Sequence, residues 1–229
     1  MTFKIFRKPI VIGKKYSIAD LNTSRNALSS IDIKSRIPIL IIDDEDFVYK
    51  EDLRDEKYNV TCVKNIEDLN AVEAYPIVIC DIKGVGTQFD EEKEGAFVVR
   101  ELKKKYPFKQ LAVYSGSDYK LELMSDLEGV VTIKKGAKLD MWRSYCDELI
   151  RRASDPKENW KTLRDYLLKK DVPIEEVMKL ESNYVDIYNH RPKDMKLFPE
   201  EDLFPNLSQD IRGVVQSMIA GGLLYLMGL

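Results

Sequence analysis

The chain has 229 residues, a formal net charge of −3 and charged side chains at a third of its positions; that is enough for one domain with a substantial extension, or two small domains. The near-neutral balance argues against a general nucleic-acid binder. Three cysteines, Cys62, Cys80 and Cys146, form no Cys-x-x-Cys pair, which argues for reduced core thiols rather than a disulfide framework.

The first 36 residues make a basic arm, in which Lys4, Arg7, Lys8, Lys14, Lys15, Arg25, Lys34 and Arg36 stand against Asp20 and Asp32. No apolar run in it has signal-peptide length, so the expected location is cytoplasmic. Such an arm can approach anionic lipid or nucleic acid, but packing on its own acidic domain is the expectation here. Thr2 to Phe6 alternates like a strand, and Ile18 to Leu28 suits a short helix.

From residue 37 onward, apolar runs and helical patterns alternate. Strands are expected near 38–43, 58–63, 76–81, 110–115 and 130–134. Helices are expected near 47–55, 66–72, 93–105 and 119–127. A further helix closes this region, with Leu139, Trp142, Tyr145, Cys146, Leu149 and Ile150 on one face.

Residues 155–229 read as a helical extension. Trp160, Leu163 and Leu167 share one stripe. Asp171 and Pro173 open a second helix, with Ile174, Val177, Tyr184, Val185 and Tyr188 on one side. Pro192, Pro199 and Pro205 then interrupt the chain. Residues 151–229 hold 12 Lys or Arg and 13 Asp or Glu, with no basic recognition helix, so sequence-specific DNA binding is not expected. After Arg212 come 17 uncharged residues. Gly213, Ser217 and Gly221 recur at four-residue steps, a spacing that lets helices approach closely. A membrane span needs about 20 apolar residues, and Gln216 and Ser217 weaken this one. Residues 208–229 are therefore expected to form a buried or self-associating helix capped by Ser208. His190 is the only histidine and has no partner suggesting a metal or catalytic role. No P-loop, G-x-G-x-x-G or His-Glu-x-x-His motif occurs.

Four of the apolar runs stop on residues suited to phosphate chemistry. Pro38 to Ile42 runs into Asp43 and Asp44. Ile77 to Cys80 runs into Asp81. Leu111 to Tyr114 runs into Ser115 and Gly116, and Val130 to Ile133 into Lys134 and Lys135. Each run is short, β-branched and too apolar for a half-exposed strand, so it reads as a buried parallel strand. Open parallel sheets bind ligands at the carboxyl ends of their strands. Three carboxylates, a hydroxyl and an ammonium therefore converge. Clustered carboxylates repel one another unless a cation sits among them, and a hard ion such as Mg2+ takes oxygen ligands. A lysine and a hydroxyl at the rim can neutralise and hydrogen-bond a phosphoryl group. An aspartate can serve as the nucleophile.

In these four motifs, in this order and at nearly the usual spacing, residues 37–154 resemble the receiver domain of two-component response regulators. The resemblance implies a doubly wound, five-stranded parallel sheet of order 2-1-3-4-5, a flavodoxin-like α/β fold. It implies Asp81 as the phosphoacceptor, with Asp44 and Asp81 ligating Mg2+ through their side chains. The backbone carbonyl of Lys83 would add a third protein oxygen, and Asp43 would act through water. Ser115 and a lysine at the end of the fifth strand would contact the phosphoryl group. Lys135, followed by Gly136 where the family has proline, fits that lysine best; Lys134 is the alternative, since a one-residue slip turns the side chain to the other face.

The chain also departs from the family pattern. The aromatic residue that usually precedes the lysine by three is Thr132, or Val131 in the other register, which puts the usual readout of phosphorylation in doubt. The segment from Gly84 to Glu94 is longer than its usual counterpart and lacks its proline.

The resulting expectation is a phosphorylation-responsive receiver protein, charged by a histidine kinase or phosphotransfer protein and acting on an unknown downstream protein. Two alternatives stand beside it: a degenerate receiver used as an interaction scaffold, and a receiver-regulated membrane-associated effector. Homo-oligomerisation is open in each. The expected domains are the arm at 1–36, the receiver-like unit at 37–154 and the extension at 155–229.

Overall fold

Five aliphatic runs become five strands, because each is buried on both sides and can satisfy its backbone only against a neighbouring strand. They are β1 (Ile39–Ile42), β2 (Val60–Val63), β3 (Ile77–Asp81), β4 (Gln110–Ser115) and β5 (Val131–Lys134). In the computed structural model, which describes residues 15–22, 30–116 and 127–219, all pair in parallel in the order β2-β1-β3-β4-β5. The molecule is thus α/β with an all-parallel sheet and additional helices. The helix expected near 119–127 and the strand expected at Thr2 to Phe6 lie outside the described residues.

Helices cover both faces of the sheet. Side chains alternate along each strand, so Ile39 and Ile41, Ile77 and Ile79, Ala112 and Tyr114, and Ile133 share one face. That face packs against α1 (Ser30–Arg36), α2 (Lys50–Asp55) and α4 (Leu139–Ser154). Leu40, Ile42, Val78, Cys80, Leu111 and Val113 share the other face, beneath α3 (Glu94–Lys105). The expected helix near 66–72 is a 3-10 turn, Leu69–Val72. Asp68 fixes its start by accepting the amides of Asn70 and Ala71. The expected helix near 47–55 is shorter, because Phe47 turns inward against Trp142 with ring centroids 4.7 Å apart.

The extension builds a separate core from α5 (Pro156–Lys169), α6 (Ile174–His190), a 3-10 segment (Pro192–Leu197) and α7 (Gln209–Met218). Asp155 caps α5 by accepting the amides of Lys157 and Glu158. Trp160 stacks on Tyr184 at 5.3 Å, and Leu163 and Leu167 are fully buried. Ile174, expected on the apolar side of α6, is 51 % exposed, because the first turn projects past the helices that cover the rest. Ser208 caps α7 as expected, accepting the Ile211 amide at 3.3 Å. The small-residue stripe is not what packs, however. Val215, Met218 and Ile219 enter the core, while Gly213 is exposed and faces open space.

The arm joins both units. Residues 15–22 lie along α6, where Ser182 accepts the Tyr16 amide, Glu181 the Ile18 amide and Asn189 the Asn22 amide, each at 2.9 Å. Only Ile18–Asp20 of the expected helix is helical among the described residues, as one 3-10 turn. Helix α1 instead packs on the sheet unit, where Lys34 pairs with Asp147 at 3.0 Å.

Candidate functional site

Parallel strands that share a register present their carboxyl ends together. The strand ends at β1 and β3 place Asp43 and Asp81 on the α4 side of the sheet by the same alternation that places Ile41 and Ile79 there. Carboxylate oxygens of Asp43, Asp44 and Asp81 lie within 4.8 Å of one another. Asp43 is 6 % and Asp81 1 % exposed, whereas Asp44 is open to solvent.

Asp81 is held from three directions. Its Oδ1 accepts the Ile82 amide at 2.6 Å and the Lys83 amide at 3.3 Å. Its Oδ2 accepts from Lys135 Nζ at 2.8 Å. Burial raises the Asp81 pKa, and the lysine and the two amides offset this only in part. The bond to Asp81 in turn raises the Lys135 pKa. Between the two candidate lysines, then, the side chain that reaches Asp81 is that of Lys135. Lys134 ends β5 on the opposite face and is exposed.

Ser115 closes β4 beside the cluster. Its carbonyl accepts the Lys135 amide at 2.6 Å, which anchors the lysine's backbone. Its hydroxyl donates to the Gly116 carbonyl at 3.1 Å, not to Asp81. Thr132 is exposed and Val131 half-buried, so neither supplies an aromatic at the site.

Several residues that shape the site were not assigned roles from the sequence. Gly84 has φ +78°, and a Cβ there would overlap the Asp44 carboxylate. The backbone after β3 therefore runs directly over Asp44. Gly84 N donates to Glu94 Oε2 at 2.5 Å, and Glu94 itself has φ +46°, a conformation uncommon for a non-glycine residue. The long loop is further tied down at Asn65, which accepts the Gly86 amide at 3.1 Å and donates to Gln88 at 3.0 Å. A Cβ at Gly95 would overlap the Asp81 carbonyl, so α3 starts in close contact with the end of β3. Tyr114 lies 3 % exposed beside the cluster. The signals were present: a Glu-Gly pair opening a helix, and a phenol at the end of an otherwise aliphatic strand.

This donor set suits a hard divalent cation. It consists of oxygen ligands, and carboxylates around one or two direct contacts are the usual protein share of a Mg2+ site. The absence of a side chain at Gly84 keeps the Asp44 side of the cluster open to such an ion. A polar cavity of about 490 Å3 lined by Phe108, Gln110, Arg151, Arg152 and Asp155 sits at the other end of β4 and shares no residue with this cluster. Comparisons with protein families, with curated proteins and with solved structures found no match to this chain.

Proposed function

We propose that the chain accepts a phosphoryl group on Asp81 and signals through protein–protein contacts, as a response-regulator receiver does. The observation that carries this reading is the setting of Asp81: 1 % exposed at the end of the central strand, bonded to Lys135 and close to two further carboxylates. A buried carboxylate with a fixed ammonium and no apolar pocket beside it is suited to receive an anionic group rather than to bind an apolar ligand.

Mg2+ would be held by the side chains of Asp44 and Asp81 and by the Lys83 carbonyl, with Asp43 acting through water. Bound there, it would offset the charge that builds up as a phosphoryl group approaches three carboxylates. The chain's own residues do the rest. An Asp81 oxygen supplies the electron pair of the new O–P bond. The bond from phosphorus to the donor breaks, and its electron pair leaves with the donor, a phosphohistidine or a small acyl phosphate. Lys135 transfers its hydrogen bond from the carboxylate to a phosphoryl oxygen. Ser115, by rotation away from Gly116, donates to the same group. Attack of water on phosphorus restores Asp81.

The donor in this reading is a histidine kinase or phosphotransfer protein, the output is an unidentified protein partner, and the location is cytoplasmic. A second reading, a receiver fold kept as an interaction scaffold, is favoured by two features: the Ser115 hydroxyl turned to Gly116, and Thr132 where an aromatic is usual. A membrane-associated effector has less support, since among the described residues no helix is long and apolar enough to cross a membrane.

Incubation with Mg2+ and acetyl phosphate separates the first two readings. The wild type should gain one phosphoryl group by intact mass, and Asp81→Asn should gain none. An unmodified wild type favours the scaffold, and modification that persists in Asp81→Asn moves the acceptor elsewhere.

A further inference from the structure

The β3–β4 register pairs Tyr114 with Asp81, so the two side chains emerge next to one another on the same face of the sheet. The Tyr114 ring is wedged between Phe47 and Trp142, at centroid distances of 6.4 and 5.4 Å. That packing fixes the ring and leaves the O–H as its free rotor. The hydroxyl is buried and makes no hydrogen bond among the described residues, whereas buried polar groups ordinarily have a partner. Asp43 is the carboxylate that acts on it most strongly: after burial, Asp43 contributes most to raising the phenol's pKa. The phenol therefore stays protonated and stands ready as a donor, although no bond of good geometry joins the two groups. Asp43 in turn accepts the Glu45 amide on Oδ1 at 3.0 Å, which leaves its other oxygen without a backbone partner among the described residues.

We propose that Tyr114 is a positioning residue of the acid cluster, whose hydroxyl donates to Asp43 and fixes that carboxylate for a divalent cation bound at Asp44 and Asp81. The assignment rests on reading the cluster as a cation site. It adds a residue from β4 to a site otherwise built from the ends of β1, β3 and β5. Tyr114 acts through Asp43 and does not itself touch the cation. A phenylalanine would keep the contacts to Phe47 and Trp142 and remove only the donor.

The test is titration of the full-length chain with Mg2+ in four forms: wild type, Tyr114→Phe, Asp43→Asn and the double variant. Calorimetry gives Kd, and quenching of tryptophan emission gives a second reading, because Trp142 touches the Tyr114 ring. Loss of a hydrogen bond to a charged group should weaken Mg2+ binding by about tenfold in Tyr114→Phe. The melting temperature without Mg2+ should not fall, which a purely structural role would not combine with a changed Kd. The double variant should bind no more weakly than Asp43→Asn, since the phenol acts through Asp43. An unchanged Kd in Tyr114→Phe, or additive losses in the double variant, would overturn the role of Tyr114 alone. A wild type that does not bind Mg2+ would overturn the cation site as well. Should Tyr114→Phe fold poorly, the wild type and Asp43→Asn suffice: Mg2+ should produce a tyrosine difference absorption in the first and not in the second, and an equal signal in both refutes the link.

Discussion

Lys135 Nζ donates to Asp81 Oδ2 at 2.8 Å, reaching from beyond β5 past β4 to the end of β3. The lysine keeps its charge because the acid raises its pKa, and its backbone is pinned where its amide donates to the Ser115 carbonyl. A side chain held in this way acts as a preorganised cation aimed at one carboxylate.

Lys135→Ala should slow phosphorylation of Asp81 by acetyl phosphate by on the order of a hundredfold, the scale of losing one preorganised charge-stabilising group. Lys134→Ala, which removes an exposed side chain on the other face, should leave the rate within about twofold. Time courses by intact mass compare the two. Equal losses would show that the lysine acts through overall charge rather than position.

Asp81 also makes stability depend on pH. Its folded pKa lies above its ordinary value of 3.8, chiefly through burial. A carboxyl of that kind binds a proton more tightly when folded. Its stabilising contribution is present below the unfolded pKa and is lost as pH rises through the folded pKa. Asp81→Asn, which cannot ionise, should therefore melt higher than wild type at neutral pH in chelator. The gap should shrink on acidification and on adding Mg2+ to the wild type. Thermal melts across pH check this; a gap that grows in acid would reverse the sign of the argument.

Gly84 and Gly95 should fail in different ways when changed to alanine. At Gly84 the new Cβ meets the Asp44 carboxylate at positive φ, so Mg2+ affinity should drop with a modest stability loss of about 1–2 kcal/mol. At Gly95 it meets the backbone of Asp81 and Ile82, which cannot give way cheaply, so the fold should lose about 1–3 kcal/mol. Chemical denaturation and Mg2+ titration of both variants separate the two effects.

Helix α7 offers a contrast between its two faces. Met218 is 1 % exposed, and Met218→Ala should cost about 2–5 kcal/mol. Gly213 is exposed within the helix and its Cβ would meet nothing. Gly213→Ala should stabilise by about 0.5–1 kcal/mol through helix propensity. Destabilisation by Gly213→Ala would instead indicate that this face is covered by another copy of the chain.

The sequence by itself determined the sheet and the chemistry at its edge. Runs such as Ile77 to Cys80 are apolar at every position, a pattern that only a strand covered on both faces requires, and five of them in succession specify the parallel order. Asp43, Asp44 and Asp81 are legible for the same reason: a strand that ends on a carboxylate delivers it to the carboxyl edge. Helix boundaries were less legible where short polar segments carry weak periodicity, as at Leu69–Val72, where the Asp68 cap and a 3-10 turn replace an α-helix. Which of Lys134 and Lys135 reaches Asp81 depended on a single residue of register, which hydrophobicity at Ile133 suggests but only pairing across β4 settles. Tyr114, Gly84 and Gly95 became visible only in three dimensions. Their roles lie in what stands opposite them: a phenol against Asp43, and two missing side chains against Asp44 and the end of β3. Contacts between residues distant in the chain leave no periodic trace in sequence. The docking of residues 15–22 on α6, through amides of the arm and side chains of Glu181, Ser182 and Asn189, is of the same kind, because backbone donors carry no sequence signature at all.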